Sequence, residues 1–237
     1  MAVHIIRQQL VFPDPSYANK DGLLAVGGDL SPERLLLAYR NGIFPWYSEG
    51  GPILWWSTDP RLVLYPHEII VSRSLRKTLN RGHFQSSIDE DFEQVIRSCA
   101  NAGGRNKSGT WITEEMIEAY TRLHQLGHAH SVETWYEDRL VGGLYGISIG
   151  RCFFGESMFA EMSDASKVAL VQLTGHLKSW NYHLIDCQMP SDHLIRLGAR
   201  LIPRYAFISQ IRDAMDQPDA DDLWVFSDQS ASLDRLP

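Results

Sequence analysis

Cysteine is scarce in this chain. Cys99, Cys152 and Cys187 are odd in number and irregularly spaced, which fits reduced cytoplasmic thiols better than a disulfide framework. Long apolar runs are missing too. No stretch of about 18 apolar residues occurs, and the N-terminal "MAVHIIRQQLVFPDP" has no long apolar core with a cleavage site. A soluble, cytoplasmic protein without a membrane span is expected. Positive charge is in deficit: 22 Lys and Arg against 29 Asp and Glu leave a net charge of −7. Any nucleic-acid site must therefore be a local patch. Neither internal repeats nor low-complexity tracts occur. His128 and His130 stand two apart with no third ligand at metal spacing, so no metal site is expected. "GLLAVGGDL" has neither GK[ST] nor GxGxxG spacing and reads as a turn rather than a phosphate loop.

What is present divides near residues 58–66. The preceding part is rich in glycine, proline and aromatics, with a short helix that Ser31 can cap, Pro32 can open and Asn41-Gly42 can stop. Beyond it, Arg61 to Tyr65 and Glu68 to Val71 read as extended, and Glu93 to Ala100 as helix. Thr113 caps a clearer helix with Glu114 and Glu115 in its first turn, where the dipole favours acids. Met116, Tyr120 and Leu123 form one face of it, and Gly127 ends it. Then come three strands, with tight turns at 137–139 and 149–151. A helix spans Ser163 to about Trp180, with Leu170, Leu173, Leu177 and Trp180 at helical spacing. A strand from His183 to Gln188, a helix from Ser191 to Leu197 and a strand around Leu201 to Ile208 complete the order. Residues from Gln217 onward are polar and expected to be loosely held. This order predicts an α+β chain: a small N-terminal domain (1–62), an acetyltransferase-like (GNAT-type) mixed sheet flanked by helices (63–216), and a polar tail (217–237).

The candidate site begins with "LIDCQ". Asp186 interrupts an apolar strand, with Gln188 two residues on. Strict alternation puts Asp186 and Gln188 on one face and Ile185 and Cys187 on the other. A carboxylate in such a strand is costly unless paired. On this alternation Cys187 reads as a buried, inert thiol. In "FFGESMF", Glu156 and Ser157 end a strand that borders the central cleft of the expected fold. The run "SRSLRKTLNRGH" concentrates Arg73, Arg76, Lys77 and Arg81 at spacings that share one helical face, which suits a phosphate backbone. Trp46, Trp55, Trp56 and Trp111 are candidates to stack on bases.

Five blocks, "GLLAVGGDLSPERLLLAYRNGIFPW", "ILWWSTDPR", "GTWITEEMIEAYTRLHQLGHAHSVE", "LVGGLYGISIGRCFFGESMF" and "LIDCQMPSDHLIRLGA", together resemble the bacterial leucyl/phenylalanyl-tRNA–protein transferases. The likeness covers roughly residues 12 to 208. It implies transfer of Leu, Phe and sometimes Met from aminoacyl-tRNA to proteins beginning with Arg or Lys, which marks them for N-end rule degradation. It implies Asp186 and Gln188 as the catalytic pair, with Glu156, beside Ser157, positioning substrate. Leu144, Phe153, Leu170, Leu177 and Ile185 match positions lining the amino-acid side-chain pocket. Arg73, Lys77 and Arg81, with Arg76 beside them, match the tRNA-facing cluster less strictly. Trp46 and Trp111 are candidates to hold the terminal adenosine.

The implied reaction is aminolysis of an ester, which needs no cofactor, ATP or metal. The enzyme has to hold an α-amine, take up its proton and steady a tetrahedral intermediate. Glutamine is a poor base, so the proton leaves through Asp186, a water or the terminal ribose hydroxyl. Two rivals remain. A coenzyme A-dependent acyltransferase needs a glycine-rich pyrophosphate loop, and the corresponding place reads "FAEMSDASK". A non-catalytic tRNA-binding module explains the basic run but not the polar pair. A monomer is expected, because no long apolar heptad or exposed edge signal is visible.

Overall fold

The computed structural model describes residues 3–102, 110–215, 217 and 224. Its elements in chain order are β1 (His4–Ile6), β2 (Leu23–Gly27), α1 (Pro32–Arg40), β3 (Phe44–Pro45), β4 (Leu54–Trp56), β5 (Arg61–Leu64), α2 (Arg73–Arg81), β6 (Gln85–Ile88), α3 (Phe92–Asn101) and α4 (Glu114–Gln125). There follow β7 (Ala129–Tyr136), β8 (Arg139–Ile149), β9 (Cys152–Ala160), α5 (Ala165–Ser179), β10 (Leu184–Gln188), α6 (Asp192–Ile195), β11 (Arg200–Ile202) and α7 (Arg204–Met215).

Two mixed sheets result. The first has the order β1-β2-β4-β3 and the second β11-β5-β10-β9-β8-β7-β6. In the second, β10 runs parallel to β9, the strand before it in the chain, and antiparallel to the distant β5. Both faces of this sheet are buried. Phe154, Tyr145 and Ile147 pack with α1, α3, α4 and α7 in one core, while Phe153, Leu144 and Ile185 pack under α5 in the other. The fold is mixed α/β, with helices on both sides of a mixed sheet.

Local signals account for most boundaries. The Ser72 hydroxyl accepts from Leu75 N at the start of α2, and Thr113 from Met116 N at the start of α4. Ser31 precedes α1 but makes no capping bond; its hydroxyl donates to Asp29 instead. "GLLAVGG" is strand β2 before it turns, with positive φ at Gly27 and Gly28. Pro66–Glu68 form a single 3-10 turn, so the extended segment expected over Glu68 to Val71 begins inside that turn, and no strand follows it there. The expected strand at 201–208 is strand only to Ile202. Pro203 ends the ladder, and Phe207, Ile211 and Ala214 recur at helical spacing as the buried face of α7.

Among the described residues no helix is long and apolar enough to cross a membrane. Most of the expected loose tail lies outside the described residues, but Trp224 is buried in the core under α5.

Candidate functional site

β10 carries the first part of the site. Ile185 pairs with Leu64 and Asp186 with Val63, but Leu62 pairs with Gln188, so Cys187 is an extra residue in a bulge. The alternation expected for this strand therefore fails at Cys187. Gln188, at φ +55, and Cys187 both line a cavity of about 410 Å³, whereas Asp186 lies beneath it with no exposed surface. Burial raises the Cys187 thiol well above its ordinary range, so a thiolate nucleophile is disfavoured.

The partner of Asp186 is Arg61, which opens β5. Arg61 Nε donates to Asp186 Oδ1 at 2.8 Å and a terminal nitrogen donates to Oδ2 at 2.7 Å. The guanidinium is sandwiched by Phe44 and Phe207, 4.8 and 4.6 Å from their ring centres. Asp186 Oδ1 also accepts from Gln188 N at 3.0 Å. The carboxylate thus fixes the left-handed backbone at Gln188. The Gln188 carbonyl accepts from Thr58 at 3.0 Å. Sequence reasoning missed Arg61. The demand that a buried carboxylate be paired pointed to such a cation, but nothing local to Asp186 says which one.

Glu156 sits on β9, on the cavity wall beside Ser157. Tyr39 donates to its Oε1 at 2.8 Å and Tyr120 to Oε2 at 3.2 Å, and the two phenols are in hydrogen-bond contact with each other. Burial pushes the Glu156 carboxyl up to about 7, against the pull of the two phenols. Burial also raises both phenols well above their ordinary range, so they stay protonated donors. Tyr39 was not singled out from the sequence. Its place on α1, opposite α4, emerges only from the packing.

The apolar wall is made by Leu144, Phe153, Leu170 and Ile185, joined by Leu173 and Met158. Leu177 is a correction. It lies one turn beyond Leu173 on α5, is fully buried, and does not line the cavity. Trp46 and Trp111 both reach the cavity, while Trp55 and Trp56 do not. Trp55 is instead fully buried and donates to Gly27 O at 2.7 Å.

The basic run forms α2, well apart in sequence from the cavity-lining strands. Arg73, Arg76, Lys77 and Arg81 are exposed, and Leu75 and Leu79 anchor the other side. At the start of α5, Asp164 accepts from Lys167 at 2.7 Å and from Thr78 at 3.3 Å. His130 Nδ1 lies 2.7 Å from Asp89 Oδ2, and no group of three or more His, Cys, Asp or Glu able to hold a metal occurs among the described residues.

The family profiles and the curated relatives name the same family. The profile described as leucyl/phenylalanyl-tRNA protein transferase matches residues 63–212, and that of the N-terminal domain of the same family matches residues 28–59. A leucyl/phenylalanyl-tRNA–protein transferase of Syntrophus aciditrophicus (strain SB) is 56% identical over 228 residues, covering 96% of this chain and 95% of the relative. One from Thermodesulfovibrio yellowstonii is 54% identical over 224 residues, covering 94% and 91%. Among solved structures, L-PGS from Bacillus licheniformis overlaps with a TM-score of 0.39 at 11% identity, over 71% of this chain and 54% of that one. A GCN5-related N-acetyltransferase from Kribbella flavida overlaps with a TM-score of 0.36 at 12% identity, over 73% and 61%. Overlaps this weak carry no argument about the reaction.

Proposed function

From the premise that this chain belongs to the leucyl/phenylalanyl-tRNA protein transferase family and is an aminoacyltransferase, we propose that it transfers Leu, Phe and, less well, Met. The acceptor is the N-terminal α-amine of proteins that begin with Arg or Lys, and the product is marked for N-end rule degradation. The protein works as a monomer in the cytoplasm, without a cofactor.

The observation that carries this reading is one cavity with an apolar wall on one side and Gln188 and Glu156 on the other. Leu144, Phe153, Leu170, Leu173 and Ile185 offer no polar group to a donor side chain, so Leu, Phe and Met fit and charged residues are excluded. Trp46 and Trp111 hold the terminal adenosine at the rim. The acceptor amine approaches Gln188, whose side chain orients it. Glu156 attracts the cationic acceptor residue.

In the chemical step the neutral amine attacks the ester carbonyl. A C–N bond forms, the C–O bond to the ribose breaks, and the amine proton ends on the leaving ribose oxygen directly or through water. Asp186 is a poor candidate to take that proton. Its oxygens already accept from Arg61 and Gln188 N, and it has no exposed surface. It acts through Gln188 as a positioning residue. The α-amine has a pKa near 8, so a useful neutral fraction exists at pH 7 without a strong base.

Radiolabelled Leu-tRNA incubated with an Arg-starting protein and no ATP tests the proposal. Label should pass to the Arg-starting protein and not to a variant of it beginning with Asp. Absence of transfer to either would overturn the reading, and equal transfer to both would remove the acceptor assignment.

A further inference from the structure

The apolar end of the cavity has a backing that lies outside the span matched by the family profile, which ends at residue 212. Trp224 is 6% exposed and packs against Phe153, with ring centroids 5.7 Å apart and planes at 32°. Phe153 lines the cavity; Trp224 does not. Trp224 is held in turn by a box of rings. It stacks on His130 at 3.8 Å with planes 5° apart, and meets the Trp180 ring edge-on at 5.3 Å. The platform under it is fixed, because His130 Nδ1 lies 2.7 Å from Asp89 Oδ2 and Nε2 lies 3.2 Å from Gly127 O. On the sheet, Phe153 occupies the space above Gly146, where an added Cβ would come 2.6 Å from the ring. Glycine makes room for the Phe153 ring, and Trp224 takes up the space beside it outside the cavity.

We propose that Trp224 is a specificity-determining positioning residue: by holding Phe153 in place from outside the cavity, it sets the depth of the pocket that receives the donor side chain. The inference rests on the reading of this cavity as the donor pocket. Its physical basis is close packing. A buried ring can shift only into vacated volume, and removing Trp224 vacates a large one next to Phe153. Phe153 then recedes and the pocket lengthens. A deeper pocket favours the larger, rigid Phe side chain over Leu.

The test is the ratio of kcat/KM for Phe-tRNA to that for Leu-tRNA, measured on the full chain. Trp224→Ala should raise this ratio roughly tenfold, within the range by which apolar pockets discriminate a methylene or two. Trp224→Phe should bring it most of the way back. In a Phe153→Ala background, Trp224→Ala should have no further effect, since the residue through which it acts is gone. Leu170→Phe, which adds bulk to the lining from α5, shortens the pocket and should lower the ratio. If Leu170→Phe moves the ratio and Trp224→Ala leaves it within about twofold of wild type, Trp224 only supports the fold and the inference is overturned, while the donor pocket stands. If neither moves it, the donor-pocket reading falls and the inference with it. Trp224→Leu keeps an apolar side chain in the core and gives the same outcomes should the alanine variant not fold.

Discussion

Asp186 and Arg61 have no exposed surface and share two hydrogen bonds. Removing one partner leaves the other charged in a dry interior, at a cost of about 3–5 kcal/mol, whereas replacing both with apolar groups can be neutral. Arg61→Met should therefore lower stability by about that amount, and Arg61→Met with Asp186→Leu should recover most of it in urea unfolding. Transfer should stay impaired in the double variant, because Gln188 N loses its acceptor and the positive φ at Gln188 is no longer enforced. Wild-type turnover in a stable double variant would reduce the pair to a structural bond. Glu156 gives a pH signature. Its carboxyl titrates near 7 in the fold against 4.5 for the free group, with burial as the main cause. Between those values the native state holds a proton that the unfolded chain has released. The stability this group contributes is therefore present below pH 4.5, falls as pH rises to 7, and changes no further above it. Activity runs the other way. If the carboxylate attracts the acceptor cation, kcat/KM for an Arg-starting acceptor should rise through about pH 7, and again near 8 as the α-amine deprotonates. Glu156→Gln should abolish the lower rise and keep the upper one. A lower rise that survives in Glu156→Gln belongs to another group.

Elements whose own sequence carries their periodicity were legible before the structure. Thr113, with acids in the first turn and Met116, Tyr120 and Leu123 on one face, marked α4, and all three apolar residues are fully buried. The three-stranded meander and its two turns were equally plain. Other elements were misread, two of them for reasons that show in the packing. The bulge at Cys187 has no local sequence signature, since it is forced by the Asp186–Arg61 pair and the register against β5. At the junction of β11 and α7, Leu201 and Ile202 belong to the strand and the apolar residues after Pro203 to the helix; reading them as one run merged two periods. For α2 the surface role follows from its two faces. Leu75 and Leu79 are buried while Arg73, Arg76, Lys77 and Arg81 are exposed. Reversing Arg73, Lys77 and Arg81 to Glu should leave the helix packed. It should raise KM for aminoacyl-tRNA and flatten its dependence on salt, because counterion release scales with phosphate contacts. Rates with a minimal aminoacyl-adenosine donor should hardly change. An equal loss on both donors would locate the damage in folding or in the chemical site.

At the scale of the whole molecule, the site is assembled from residues that the sequence holds far apart. Tyr39 on α1 reaches Glu156 on β9, and Arg61 reaches Asp186, across 117 and 125 positions respectively. That is why the residue types were readable from the chain and their partners were not. Within the site, Asp186 and Gln188 in "LIDCQ" are the pair that one short segment holds together. The first sheet does more than cover the second. Phe44 and Pro45 of β3, with Trp46 directly after them, form one part of the cavity wall, alongside β8, β9, β10, α5, Trp111 and the segment 189–194. Trp46 is 37% exposed and meets Trp56 at a tilt of 60°, with ring centroids 5.6 Å apart, so part of its ring is open to a flat ligand. Removing an exposed side chain of this kind costs little stability, typically within about 0.5 kcal/mol. Removing a stacking platform costs about 1–3 kcal/mol of binding per base, or about five- to hundredfold in affinity. Trp46→Ala should therefore raise KM by that factor for aminoacyl-tRNA and for the minimal aminoacyl-adenosine donor alike, since both carry the adenosine. This equal loss separates it from the charge reversal on α2, which spares the minimal donor. The check is KM for both donors in both variants, alongside thermal melts to show that each is folded. A Trp46→Ala variant that loses affinity for the tRNA alone would move Trp46 from the adenosine to the nucleic-acid surface, and the first sheet would then guide the tRNA instead of completing the donor pocket.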